Sequence, residues 1–204
     1  MSYIQHIHEI VVKEGMKMTA TKKDLRVMKT RKIIMDSFVK LSGVKEFKDI
    51  TVKDITTEAM INRATFYYHF KDIYDLLEKV LVEVLMVNLD SAIYENTELN
   101  EDTLTKIFEA TTTFQRSLSN RCHRGYEDTI ARIIREQLEI IFYKMLYKQN
   151  KGNEESLKAT SVLLSWGMYG ASVEWRRNHK QKPKEFIKLV IPSILYGVLR
   201  ASKD

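Results

Sequence analysis

Cysteine, proline, glycine and long apolar runs are all scarce in this chain, and each scarcity removes a class of protein. One cysteine, Cys122, in 204 residues excludes an internal disulfide framework and suits a reducing compartment. Its neighbour His123 does not make it a nucleophile: adjacent helical residues do not face each other, and no Asn or Asp completes a triad. Two prolines and seven glycines, with little strand-like alternation between turn signals, favour an all-α fold. The longest uncharged apolar runs, Leu163–Val173 and Leu189–Leu199, span 11 residues each, whereas a bilayer needs about 20. No signal-peptide core opens the chain, so a cytoplasmic location is expected. His and carboxylate residues show no metal-ligand spacing, and neither a Gly-rich phosphate loop nor a nucleophile–base pair is present. An enzyme, a metal site and a cofactor are therefore not expected.

What is present is positive charge in one place. Residues 17–32 (KMTATKKDLRVMKTRK) hold Lys17, Lys22, Lys23, Arg26, Lys29, Arg31 and Lys32 against Asp24 alone, an excess equal to the whole net charge of +6. Such a run is either a solvated helix face or a phosphate-neutralising surface. Residues 1–24 read as a flexible basic leader. Its first fifteen residues are semi-apolar, Met16 or Met18 offers an alternative start, and His6 and His8 are not read as a metal site.

Downstream, Ile50–His69 (ITVKDITTEAMINRATFYYH) spells two short capped helices around a turn. Thr51 is an N-cap; Val52, Ile55 and Ala59 share one face; Ile50 and Ile55 can form a hydrophobic staple, with Asp54 at the positive helix end. The signals repeat with Asn62 as cap and Ile61 with Phe66 as staple, and Phe66 and Phe70 form an inward i,i+4 pair. Arg63, Ala64, Thr65, Tyr67 and Tyr68 then point away from the apolar face. A second helix presenting Arg, Thr and Tyr outward is the sequence form of a DNA-reading helix-turn-helix.

About nine helices are expected in all. The first spans about 25–41, with Val27, Ile34, Phe38 and Leu41 inward, followed by Phe47 and Ile50 tucked under the head. The motif helices cover about 52–59 and 63–69. A broadly apolar helix starts near Asp72, and others cover about 101–118, 128–149, 154–177 and 184–201, the last disturbed by Pro192. The domain reading is a leader 1–24, a helix-turn-helix head 25–71 and a helical regulatory and dimerisation body 72–204.

Val52–Leu77 (VKDITTEAMINRATFYYHFKDIYDLL) resembles the TetR/AcrR family of bacterial transcription regulators, with Val52, Ile55, Ala59, Thr65, Phe66, Tyr67, His69, Phe70 and Leu76 on matching positions. LLSWGMYGASVEWRRN, followed by Pro183, Glu185 and Phe186, is similar to C-terminal domains of the low-GC Gram-positive members. Two positions depart: Met60 stands where the family has Gly, and Ile73 stands where a phosphate-contacting Lys is common, with Lys71 nearby.

With the helix geometry, the resemblance implies base or groove contacts from Arg63, Thr65 and Tyr67, with Ala64 near a thymine methyl. Tyr68, His69, Lys71 and Thr51 are placed for phosphates. Aromatic packing at the seam between head and body is the alternative for Tyr67 and Tyr68, and simple solvent exposure for Arg63. A single head reads few base pairs, so a homodimer on a palindromic double-stranded operator is expected. Trp166, Gly167, Gly170, Ala171, Trp175, Tyr196 and Gly197 are candidates for its interface, with intrachain core as the alternative. The resemblance further implies a repressor released by a small-molecule effector that tilts the fourth helix. Phe108, Thr111, Phe114, Phe142, Met145 and Trp166 could line its cavity, although an apolar stripe is more often plain core. Few charges point inward there, so an apolar or aromatic effector is expected. The other functional reading is a DNA-binding regulator without an effector, acting as an activator or through a protein partner.

Overall fold

Side-chain caps decide where the helices of this protein begin. The computed structural model describes residues 22–93, 98–119, 126–149, 152–178 and 181–201. Among these residues there are eight α-helices and no strand, so the fold is all-α. They are α1 (Lys22–Ser42), α2 (Val52–Glu58), α3 (Arg63–His69), α4 (Ile73–Ile93), α5 (Glu101–Ser119), α6 (Glu127–Lys148), α7 (Glu154–Asn178) and α8 (Pro183–Ala201), with a 3-10 turn at Phe47–Asp49. No described helix is long and apolar enough to cross a membrane. Residues 22–24, expected in the leader, open α1 instead. The readings of residues 1–21, including His6 and His8, and of Cys122 and His123 fall outside the described residues.

The caps are the short polar residues that compete for free backbone N–H groups. Asp72 accepts from Asp75 N at 2.8 Å, Asn100 from Thr103 N at 2.9 Å and Asn153 from Ser156 N at 2.9 Å, opening α4, α5 and α7. Gly152, just before the last of these, has φ +137°, a conformation that suits glycine.

The chain divides into a head, Met1–Val80, and a body, Leu81–Asp204. The division lies within α4, beyond the boundary expected after residue 71. In the head, Ile34, Met35 and Phe38 of α1, Phe47, Ile50, Ile55, Phe66, Phe70, Leu76 and Leu77 are buried. Phe47 is held edge-on by Phe38 at 5.9 Å and by Tyr74 at 5.6 Å between ring centroids. Val27 and Leu41, expected inward on α1, are only half-buried.

In the body, α6 packs on α7, while α5 packs on α7 and α8. The α6 stripe of Ile133, Ile134, Leu138, Ile141, Phe142, Met145 and Leu146 is buried throughout. Phe108 of α5 stacks on Phe186 at 6.0 Å and meets Trp175 edge-on at 6.5 Å. Pro192 lies inside α8, which runs on to Ala201; the proline has no N–H to offer the Lys188 carbonyl.

The turn between α2 and α3 has a specific backbone cause. Ile61 N donates to Thr56 O at 3.0 Å and Met60 N to Thr57 O at 3.2 Å, the two reversed bonds of a Schellman C-cap. That motif puts Met60 at φ +52°. A residue with a Cβ is strained there by roughly 1–2 kcal/mol, and the side chain, 92% exposed, gains no packing in return. Met60→Gly should relieve the strain, less the added freedom of the unfolded chain. The expected gain is about 1 kcal/mol, a rise in melting temperature of about 3 °C by circular dichroism; an unchanged or lower value would show that the turn is not strained.

Candidate nucleic-acid interface

The interface is built outward from two caps. Thr51 Oγ1 accepts from Asp54 N at 3.2 Å, and Asp54 Oδ2 accepts from Thr51 N at 2.9 Å and from the Thr51 hydroxyl at 2.8 Å. This is a capping box with aspartate in the usual glutamate position. Lys45 Nζ closes on Asp54 Oδ1 at 3.0 Å. The Thr51 hydroxyl and backbone, and then Lys45, hold the Asp54 carboxyl at about 2, below its ordinary 3.8. On the next helix, Asn62 Oδ1 accepts from Thr65 N at 2.7 Å and from the Thr65 hydroxyl at 3.0 Å.

Phe66 and Phe70 then anchor α3. Both are buried, with ring centroids 5.9 Å apart. Losing either ring to alanine would cost on the order of 3–5 kcal/mol, so the register of α3 on the head is fixed. The opposite face is left to solvent: Arg63 and Ala64 are exposed, Tyr67 is 49% exposed and Tyr68 70%. Tyr67 meets Phe66 edge-on at 5.4 Å, and Tyr68 meets His69 edge-on at 5.0 Å. Arg63 Nη2 donates to Tyr67 Oη at 3.3 Å, and its guanidinium lies 5.9 Å from the centre of that ring. Two side chains that can bond base edges are thereby held side by side one helical turn apart.

The other candidates divide. Lys71 is exposed, and its backbone N–H donates to Asp75 Oδ2 at 3.0 Å. His69 is half-buried, edge-on to Tyr68 at 5.0 Å. Burial, and then the charge of Arg31, hold its imidazole below the ordinary 6.5. Thr65 is half-buried, and its hydroxyl is donated to the Asn62 cap. Thr51 is exposed, though its hydroxyl is engaged by Asp54. Arg31, seen in the sequence only as one charge of a basic run, lies with its guanidinium 5.0 Å from the Phe70 ring centre, beside His69. Nothing in local spacing links positions 31 and 70; that pairing is tertiary.

Residues 34–80 match the family model described as "Bacterial regulatory proteins, tetR family". The head belongs to the TetR family. The match spans the whole capped unit from α1 to the first part of α4, and the family is one of bacterial regulators. In fold, the chain is similar to the solved structure of "Dihydroxyacetone kinase operon activator DhaS", at 17% identity over 85% of this chain and 96% of that one, with a TM-score of 0.49. It is similar also to NemR of E. coli in its reduced form, at 13% identity over 81% and 97%, with a TM-score of 0.46. No curated protein matches the sequence.

In the body, Phe108, Thr111, Phe114, Phe142 and Met145 are buried, whereas Trp166 is exposed. The Arg135 guanidinium sits 3.9 Å from the centre of the Trp166 ring. Of the residues named for a dimer interface, Gly167, Gly170, Tyr196 and Gly197 are exposed with Trp166, and Ala171 is half-buried. Trp175 departs from the group. It is buried, with Nε1 donating to Gln181 O at 2.8 Å and Arg116 over its ring, so it serves the core of its own chain. Among the described residues, no three His, Cys, Asp or Glu gather as a metal site would require. Buried Gln115 of α5, whose Nε2 donates to Ser172 Oγ at 3.1 Å, was missed in the sequence; its only linear signal is a polar residue at an inward α5 position.

The Asp54 box gives the head a pH signature. Its carboxyl is ionised more easily folded than unfolded, so its stabilisation is complete above the unfolded value near 3.8 and is lost as pH falls towards about 2. An NMR titration should find the Asp54 carboxyl midpoint near 2, and Thr51→Ala should move it back towards 3.8. A midpoint near 3.8 in the unsubstituted protein would mean that the box does not form.

Proposed function

We propose that this protein is a sequence-specific DNA-binding repressor that acts as a homodimer on a palindromic operator and is released by a small-molecule effector bound in the body. The observation that carries the DNA-reading part is the outward face of α3, where Arg63, Ala64, Tyr67 and Tyr68 are open to solvent while Phe66 and Phe70 lock the opposite face. Arg63 is suited to guanine O6 and N7, and Ala64 to a thymine methyl. Tyr68, Lys71 and the basic residues of α1, among them exposed Arg26 and Lys29, supply phosphate contacts. His69, held neutral in the free protein, donates a ring N–H to a phosphate oxygen.

The dimer reading rests on the glycines of α7 and α8. A Cβ added at Gly167, Gly170 or Gly197 would meet nothing within 4 Å. Their smallness therefore serves no packing within the chain, yet each costs its helix about 1 kcal/mol relative to alanine. A second copy approaching closely explains them. Leu163 and Leu189, 72% and 69% exposed, flank them with Trp166 and Tyr196 on the same two helices. An apolar face of this kind marks an association surface. Chain continuity supports effector control: α4 begins in the head and ends in the body, and a ligand can shift the head only by the difference in its affinities for two body conformations.

Two measurements test this. In fluorescence anisotropy against DNA upstream of its own gene, Arg63→Ala should lose about 1–3 kcal/mol of binding to the operator and little to random DNA. Lys71→Ala should weaken both alike and lower the salt dependence by about one ion. Equal loss on both DNAs for Arg63→Ala would remove it as a reader. In light scattering after gel filtration, the protein should run as a dimer and Trp166→Glu as a monomer. A monomeric parent protein, or an unaffected variant, would refute the assigned interface.

A further inference from the structure

The body contains a cleft of about 550 Å³ between the end of α5, the start of α6 and the second half of α7. Leu118, Ile130, Ala131 and Val173 give it one apolar side, and Tyr169 with four charged side chains makes the rest polar. Glu127 and Asp128 on its lining are balanced by Arg176 and Arg177, so it carries no net charge. Gln115 of α5 also lines it, although that residue is only 3% exposed.

The hydrogen bonds at Gln115 fix which end of its amide is engaged. Ser172 has one hydroxyl hydrogen, and it is donated to Tyr169 O at 2.7 Å. Towards Gln115, Ser172 Oγ can therefore only accept, and it does so from Nε2 at 3.1 Å. A flipped amide would need the Ser172 hydroxyl to give up its bond to Tyr169 O, so Oε1 is the remaining end. Oε1 is buried and has no hydrogen-bond partner. Buried acceptors are nearly always met by a donor, so the inner end of this cleft lacks one N–H or O–H group.

We propose that this cleft is the effector site and that its ligand is a neutral molecule with a small apolar part, ending in a hydrogen-bond donor, which it gives to Gln115 Oε1. A hydroxyl on an aromatic ring is the simplest such group: the ring fits the Leu118, Ile130 and Val173 side, and the O–H meets the open acceptor. The inference rests on the reading of the body as an effector domain, and it narrows the ligand class from apolar or aromatic to one with a small apolar part and one donor.

The test is an NMR titration of the full chain without DNA, using 4-ethylphenol and its methyl ether 4-ethylanisole, which matches it in its apolar part but has no donor. The phenol should shift the Gln115 side-chain amide saturably and bind about tenfold more tightly than the ether, the worth of one hydrogen bond. That preference should vanish in Gln115→Leu, and Val173→Trp, which fills the cleft, should block both compounds. Absence of saturable phenol binding, equal affinity for the ether, or a preference that survives Gln115→Leu would each overturn the assignment; an acceptor satisfied by water alone gives the first result. Adding the phenol to the protein–operator complex is a separate arm. Binding through Gln115 without release of DNA would leave the site standing and refute effector control, whereas release by a compound that ignores Gln115 would do the reverse.

Discussion

The direction of the reading helix depends on a reversal of the chain at Met60. The carbonyls of Thr56 and Thr57 take the N–H groups of Ile61 and Met60, and the backbone can close those two bonds only by passing through the left-handed region. Once it has done so, Asn62 is positioned to cap α3, and Phe66 is committed to the core. Everything presented outward on α3 follows from these steps. Arg63 and Tyr67 are not selected one by one for exposure; they occupy the face left over once the phenylalanines are buried.

The body follows a different logic, in which polarity is placed inside. Helix α5 buries Thr103, Thr111 and Gln115 among Leu104, Ile107, Phe108 and Phe114, and α7 buries Ser161, Ser165 and Ser172. The three serines turn their hydroxyls back onto their own helix, each bonding the carbonyl three residues earlier at 2.7–2.8 Å. They are thus self-satisfied and act as small packing residues. On α5, Thr105 and Thr112 do the same, whereas Thr103 Oγ1, Thr111 Oγ1 and Gln115 Oε1 have no partner. A core of this kind is less well satisfied than an apolar one of equal volume, which ties the interior of the body to hydrogen-bonding chemistry as well as to packing.

The head was almost entirely legible in the sequence because its signals are local. Caps, staples and an i,i+4 phenylalanine pair act over three to five residues, and Thr51, Asn62, Phe66 and Phe70 could be assigned from spacing alone. The left-handed backbone at Met60 was foreshadowed by a glycine position filled by methionine. The body was legible as helices and not as surfaces. Trp166 and Trp175 look alike in sequence, yet Trp166 is exposed beneath Arg135 and Trp175 is buried against Phe108. The difference lies in which neighbours α5 and α6 bring to α7, a property of the tertiary arrangement. Gln115 was illegible for the same reason, since its partner Ser172 is 57 residues away.

The continuity of α4 bears on how the protein can be taken apart. A cut between Val80 and Leu81 would leave the head with only Ile73–Val80 of that helix. Isolated helices shorter than about 12–15 residues are marginal in water, and Leu76, Leu77 and Val80 are buried along that stub. The head is therefore not a detachable cassette at its contact boundary. A chimaera that grafts this reading surface onto a foreign body would have to carry α4 well past Val80, or splice within the helix in register, so that the seam falls in a continuous run of backbone hydrogen bonds.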